Sequence, residues 1–106
     1  MTKLASLLRA NITAVGKYLP KNKLTNADLE KMVKTSDEWI MERTGIRERR
    51  IVSQEQATSD MCIEAINQLL SSRRISADEL DVIIVGTITP DTMFPSTACV
   101  IQKKIG

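Results

Sequence analysis

Apolar and polar positions recur with several different periods along this chain, and each period predicts a different element. Residues 11–16, Asn-Ile-Thr-Ala-Val-Gly, are short and β-branched and predict a strand. Residues 18–22 read as a turn, because Pro20 removes a ladder donor. Thr25, with Asp28 three residues on, is a variant capping box. It opens a helix over 27–34 with Leu29, Met32 and Val33 on its apolar face. Thr35 with Glu38 fits the capping box proper and opens a second helix carrying Trp39, Ile40 and Arg43. Gly45 ends that helix as a left-handed terminator. Residues 46–52 alternate weakly and predict a strand or an extended, charged edge.

Thr58 is expected to cap the longest helix, in which Met61, Ala65, Ile66, Leu69 and Leu70 form one broad stripe. That helix ends over 71–74, and Ser76 with Glu79 opens a further single turn. Residues 82–85, Val-Ile-Ile-Val, are apolar without alternation, the mark of a central parallel strand covered on both faces. Residues 87–95 predict a loop, and 96–105 a last helix. Strand, two helices, strand, helix, strand, helix is an α/β order with right-handed crossovers. No strand follows the last helix, so the chain is expected to be part of a larger domain.

Composition bounds the function. With 106 residues there is room for one ordinary domain. A hydrophobic fraction of 42% and a charged fraction of 26% exclude a disordered tail, a collagen-like repeat and a disulfide scaffold. Tyr18, Trp39 and Phe94 are the only aromatics, fewer than a self-sufficient core usually holds, so the core is expected to be completed from outside the chain. A net charge of +2 with scattered Lys and Arg argues against nucleic acid. Two cysteines and no histidine exclude a zinc finger, a Ser-His-Asp triad or a Cys-His pair within the chain, and suggest a reducing, cytosolic setting. No apolar run is long enough for a bilayer, and Arg9 breaks the opening stretch, against a secretory signal.

Trp39 and Arg43 lie four apart and share a helix face, with Thr35 at its start. Exposed, such a pair would stack a flat base and hold an attached phosphate. Spacing alone favours the alternative, a core indole beside a solvated charge. Arg43, Arg47, Arg49 and Arg50 cluster around Gly45 and could receive phosphates or an acidic protein; interleaved Glu42 and Glu48 favour a solvated edge. Cys62 and Cys99 sit among apolar neighbours and read as buried small hydrophobes, not nucleophiles. Loop packing is the default for Phe94.

Residues 18–20 (Tyr-Leu-Pro), 25–33 (Thr-Asn-Ala-Asp-Leu-Glu-Lys-Met-Val), 35–40 (Thr-Ser-Asp-Glu-Trp-Ile) and 43–46 (Arg-Thr-Gly-Ile), with Glu48-Arg49, carry a strong resemblance. So do 89–91 (Thr-Pro-Asp), 94–99 (Phe-Pro-Ser-Thr-Ala-Cys), Ile101-Gln102 and Gly106. Together they resemble β-ketoacyl-acyl carrier protein synthase III, a condensing enzyme of the thiolase superfamily that starts bacterial type II fatty acid synthesis. The resemblance implies a five-layered, dimeric, thiolase-like α/β fold. It divides the chain into an extra segment at 1–10 and an incomplete amino-terminal thiolase-like domain at 11–106.

It also implies the reaction. Acetyl passes from acetyl-CoA to a catalytic Cys, malonyl-acyl carrier protein is decarboxylated, and the resulting carbanion attacks the thioester. No resident cofactor or metal is implied; the partners are acetyl-CoA, malonyl-acyl carrier protein and a second copy, in the cytoplasm. In the family a Cys at a helix N-terminus, a His and an Asn carry the chemistry, and all three fall after the motif that ends at Gly106. The chain alone is therefore expected to lack them and to be inactive, and Cys99 matches a helix position that is not the nucleophile.

By the same resemblance Trp39 stacks on the adenine of CoA, Thr35 contacts the nucleotide, and Arg43 lies by the CoA phosphates and the carrier-protein docking surface. Phe94 reaches toward the partner subunit's acyl tunnel. The residue that stacks on the opposite face of the adenine is missing, so half of the sandwich is expected. Two alternatives stay open: a standalone CoA-binding or regulatory module, and part of a related secondary-metabolite condensing enzyme.

Overall fold

The computed structural model describes residues 9–106, so most of the extra segment assigned to 1–10 lies outside the described residues. Two strands frame the first unit. β1 (Asn22–Thr25) pairs antiparallel with β2 (Glu48–Ile51), Asn22 opposite Ile51 and Thr25 opposite Glu48. Between them run α1 (Asn26–Met32) and α2 (Asp37–Thr44). β1 replaces part of the turn expected over 18–22. It has a single apolar residue, Leu24, and no hydrophobic period marks it. Cross-strand pairing makes it a strand, helped by a 3.2 Å ion pair between Lys23 and Glu48.

Local chemistry sets the helix ends. The Thr25 hydroxyl accepts from Asp28 N–H at 3.2 Å, and the Asp28 carboxylate accepts from Thr25 N–H at 3.0 Å and from its hydroxyl at 2.6 Å. These bonds, first that of the hydroxyl, hold the Asp28 carboxyl below its ordinary value. α1 stops at Met32 because Val33 turns extended, so Met32 and Val33 are exposed instead of making the expected apolar face. α2 is capped by Ser36, not by Thr35: the Ser36 hydroxyl accepts from Trp39 N–H at 3.1 Å. Gly45 ends α2 at φ 67°, as the sequence predicts.

α3 (Thr58–Arg73), a 3-10 turn (Ala77–Glu79) and α4 (Thr97–Ile105) form the second unit. Thr58 is the first residue of α3 and not its cap. Ala57 holds the cap position, and Asp60 accepts from its N–H at 2.8 Å. Ser96 caps α4, accepting from Cys99 N–H. α3 packs on α4; Leu70 on α3 and Ile101 on α4 are buried, and the rest of the α3 stripe is half-buried.

Neither remaining expected strand has a pairing partner among the described residues. Residues 11–19 form no regular element, and Gly16 and Lys17 lie against α3. The Lys17 N–H donates to Gln68 Oε1 at 2.8 Å, and a Cβ on Gly16 would collide with the Ala65 carbonyl oxygen. Residues 82–85 are likewise unpaired, with Ile83 and Val85 turned inward and Val82 and Ile84 exposed. Both stretches keep the period of a strand, but a strand needs a ladder, and the only ladder among the described residues is β1 with β2. Among the described residues Ile40, Leu70 and Ile101, with Pro20, are the buried apolar side chains. A Cα radius of gyration of 19.1 Å, against about 13 Å for a compact chain of this length, matches so small a core.

Candidate nucleotide-binding site

α2 buries Ile40 and turns Trp39 outward, 54% exposed. A core role for the indole is thereby overturned: the helix is short, and only Ile40, with Met41 half-buried beside it, meets the interior. One turn on, the Arg43 guanidinium carbon lies 5.5 Å from the Trp39 ring centroid, within cation–π range. Lys34, Thr35, Ser36 and Trp39 line a shallow concavity of about 340 Å³. Thr35, freed of the capping role, is thus beside the indole. Lys34 was not singled out by sequence, since one lysine at a helix end is unremarkable by pattern.

The position of α2 is set from below by Asn26, which is 2% exposed. Its side-chain amide donates to Asp37 Oδ1 at 2.7 Å and to the Ile46 carbonyl at 2.8 Å. Its own oxygen accepts from Arg49 Nη1 at 2.7 Å. Glu30 Oε1 accepts from the Asp37 N–H at 2.6 Å. No local pattern marks Asn26, because its partners come from three later segments.

The basic cluster divides. Arg43 and Arg47 are exposed, whereas Arg49 is tied to Asn26, and Arg50 donates to the Pro20 carbonyl at 3.1 Å and pairs with Glu48 at 3.3 Å. Those last two are not a solvated edge. Phe94 is 90% exposed, against the loop packing expected by default. It lies well along the chain from α2, on the loop before α4. Cys99 is exposed, not buried, and accepts a hydrogen bond from the Ser96 hydroxyl at 3.2 Å. It lines a groove with residues 80–83, Gln102 and Ile105. Its sequence neighbours Ala98 and Val100 are apolar and half-buried, but on a helix their burial does not carry over to Cys99. Cys62 is half-buried; burial, then the charge of Asp91, pushes its thiol up. No His/Cys/Asp/Glu cluster fit for a metal occurs among the described residues, and none of their helices is long and apolar enough to cross a membrane.

No family model matches the chain. Curated relatives do. It is 53% identical over 103 residues to the β-ketoacyl-[acyl-carrier-protein] synthase III of Koribacter versatilis, across 97% of this chain and 31% of that protein. It is 59% identical over 98 residues to the synthase III of Solibacter usitatus, across 92% of this chain and 30% of that protein. The chain is a homologue of β-ketoacyl-[acyl-carrier-protein] synthase III. It spans about 30% of the length of the synthases it matches. Solved synthase III structures share its fold. That from Aquifex aeolicus superposes with a TM-score of 0.78 at 52% identity, over 87% of this chain and 30% of that one. That from Thermus thermophilus gives 0.79 at 43%, over 90% and 30%. The priming β-ketosynthase of the R1128 polyketide pathway gives 0.79 at 29% identity, over 88% and 28%. The architecture is therefore part of the thiolase-like fold, and the two-stranded antiparallel pair with its α-helices is one piece of it.

Proposed function

We propose that this chain carries the nucleotide-gripping surface of a β-ketoacyl-acyl carrier protein synthase III, with Trp39 as its stacking platform. One observation carries this: the only tryptophan is exposed on a short helix, with a guanidinium 5.5 Å from its ring centroid. Arg43 sits by the indole, and the half-exposed ring borders the concavity it shares with Lys34, Thr35 and Ser36. The adenine of CoA stacks there, Thr35 contacts the nucleotide, and the phosphates lie toward Arg43, with Lys34 as a second cation. In the whole protein, acetyl moves from CoA to a cysteine thiolate. Decarboxylated malonyl-acyl carrier protein then attacks the thioester, releasing CO2, CoA and acetoacetyl-acyl carrier protein. CoA is substrate here, and no resident cofactor takes part. The protein acts in the cytoplasm as a homodimer, with Phe94 reaching toward the partner's acyl tunnel. The 106-residue chain alone provides grip without catalysis.

Identities of 53–59% to fatty-acid synthases III, against 29% to the polyketide priming enzyme, favour fatty acid initiation over secondary metabolism. The test is a CoA titration of the single-tryptophan fluorescence. Quenching by CoA and by 3′-phosphorylated adenine nucleotides, but not by pantetheine, supports an adenine platform. No quenching by any of them rejects it.

A further inference from the structure

α2 holds only one buried side chain, Ile40, in eight residues, about 12 Å of helix. With Ile40 buried and only Met41 half-buried beside it, apolar packing alone holds such a helix weakly against rolling or pivoting. Yet the nucleotide site needs the Trp39 face presented at a set angle beside Thr35. Polar contacts supply what packing lacks. The buried Asn26 amide spans α2 with its two N–H groups, one on Asp37 in the first turn and one on the Ile46 carbonyl, just past the Gly45 terminator. The Arg49 guanidinium, donating to Asn26 Oδ1, holds the amide in that orientation from β2.

We infer that Asn26 is a positioning residue for the nucleotide site, clamping α2 at both ends and so fixing where the Trp39 face points. This rests on the nucleotide reading of Trp39 given above. Asparagine is required chemically: two donors must face two oxygens while one acceptor faces a cation. Aspartate at this place would lose both donors and set a carboxylate against Asp37 and a carbonyl.

The single tryptophan makes the test direct. Four chains are compared at low micromolar concentration: wild type, Asn26→Asp, Asp37→Ala and Asp37→Asn. Asparagine at 37 still offers Asn26 an acceptor, whereas alanine leaves one buried amide N–H without its partner, so circular dichroism and Tm report the fold of each variant beside the Trp39 readouts. Readouts are far-UV circular dichroism, Tm, Trp39 emission maximum and anisotropy, and CoA affinity by calorimetry. Asn26→Asp and Asp37→Ala are expected to shift Trp39 emission and anisotropy and to weaken CoA binding about 3- to 10-fold. Asp37→Asn stays within about twofold of wild type. If Asn26→Asp and Asp37→Ala lower Tm but leave Trp39 emission and CoA affinity unmoved, Asn26 only stabilises the fold and the inference is overturned. Should Asn26→Asp fail to fold, the contrast between Asp37→Ala and Asp37→Asn decides alone. Should wild type bind no CoA, the nucleotide reading falls, and positioning of Trp39 stands or falls on emission and anisotropy.

Discussion

Arg43 and Trp39 form a pair on the outer face of α2, with the guanidinium carbon 5.5 Å from the ring centroid. On the nucleotide reading proposed above, the pair is half of a clamp. Base–aromatic stacking contributes about 1–3 kcal/mol by alanine substitution. In a whole synthase carrying this segment, Trp39→Ala should therefore raise the Michaelis constant for acetyl-CoA roughly 5- to 100-fold. Turnover should fall less, since a remote grip provides uniform binding. Steady-state kinetics checks this, and an unchanged Michaelis constant would leave Trp39 without a role in CoA binding.

Gly16 is where backbone meets backbone. A Cβ there would run into the Ala65 carbonyl and press on the Leu69 Cβ at 3.0 Å. Neither can yield cheaply, because Ala65 lies within α3. Gly16→Ala should cost about 1–3 kcal/mol, as overpacking does, read as a lower Tm. Gly86→Ala, where nothing lies within 4 Å, serves as the control and should behave as wild type.

The two thiols should separate in reactivity. Cys99 is exposed, whereas Cys62 is half-buried with its thiol pushed up, so less of it is thiolate at neutral pH. Intact mass after brief iodoacetamide treatment should show one adduct, mapping to Cys99. Incubation with acetyl-CoA should give none on either cysteine, because no histidine is present to act as base. A stoichiometric acetyl adduct on Cys99 would show that the 106-residue chain has transfer chemistry of its own.

Exposed apolar strand edges should make the chain associate. Ile12, Val15 and Leu19 on one stretch, and Val82, Ile84 and Ile88 on another, face solvent without a ladder. Such edges recruit further strands. Sedimentation should show mass rising with concentration, and Ile84→Lys should reduce the rise. A monomer at all concentrations, melting sharply in one step, would count against this.

Acid should loosen the contact between α3 and α4. The Ala57 N–H, then Lys104 at 3.0 Å, hold the Asp60 carboxyl below its ordinary 3.8. A carboxyl depressed in the folded state stabilises it above the unfolded value, and that contribution is lost as pH falls below 3.8 through the folded value. Tm should drop across that window, and Asp60→Asn should flatten part of the drop.

The legible features in the sequence were those whose causes lie within a few residues. The Thr25–Asp28 box and the Gly45 terminator are such cases. The cap of α2 was misplaced by one because Thr35 and Ser36 are both good caps, and only Ser36 meets an N–H three residues on. The candidate site residues came from resemblance. Trp39 shows why: pattern favoured burial, and exposure depends on how α2 docks. Asn26 was invisible because its partners at 37, 46 and 49 assemble only on folding. β1 was missed because its partner lies beyond two helices.

α3 is closed at its start by residues far along the chain. Asp91 accepts from the Ser59 N–H at 2.8 Å, Thr58 donates to the Thr89 carbonyl at 2.6 Å, and Lys104 reaches Ser59 at 3.3 Å. The first turn of the longest helix is thus completed by a loop and a helix that leave the ribosome some thirty to forty-five residues later. Until they arrive, its leading amides have only water and Asp60. In hydrogen exchange those amides should open together with α4, not with the middle of their own helix. The cooperative unit therefore crosses helix boundaries and gathers two helix N-termini and the loop between them.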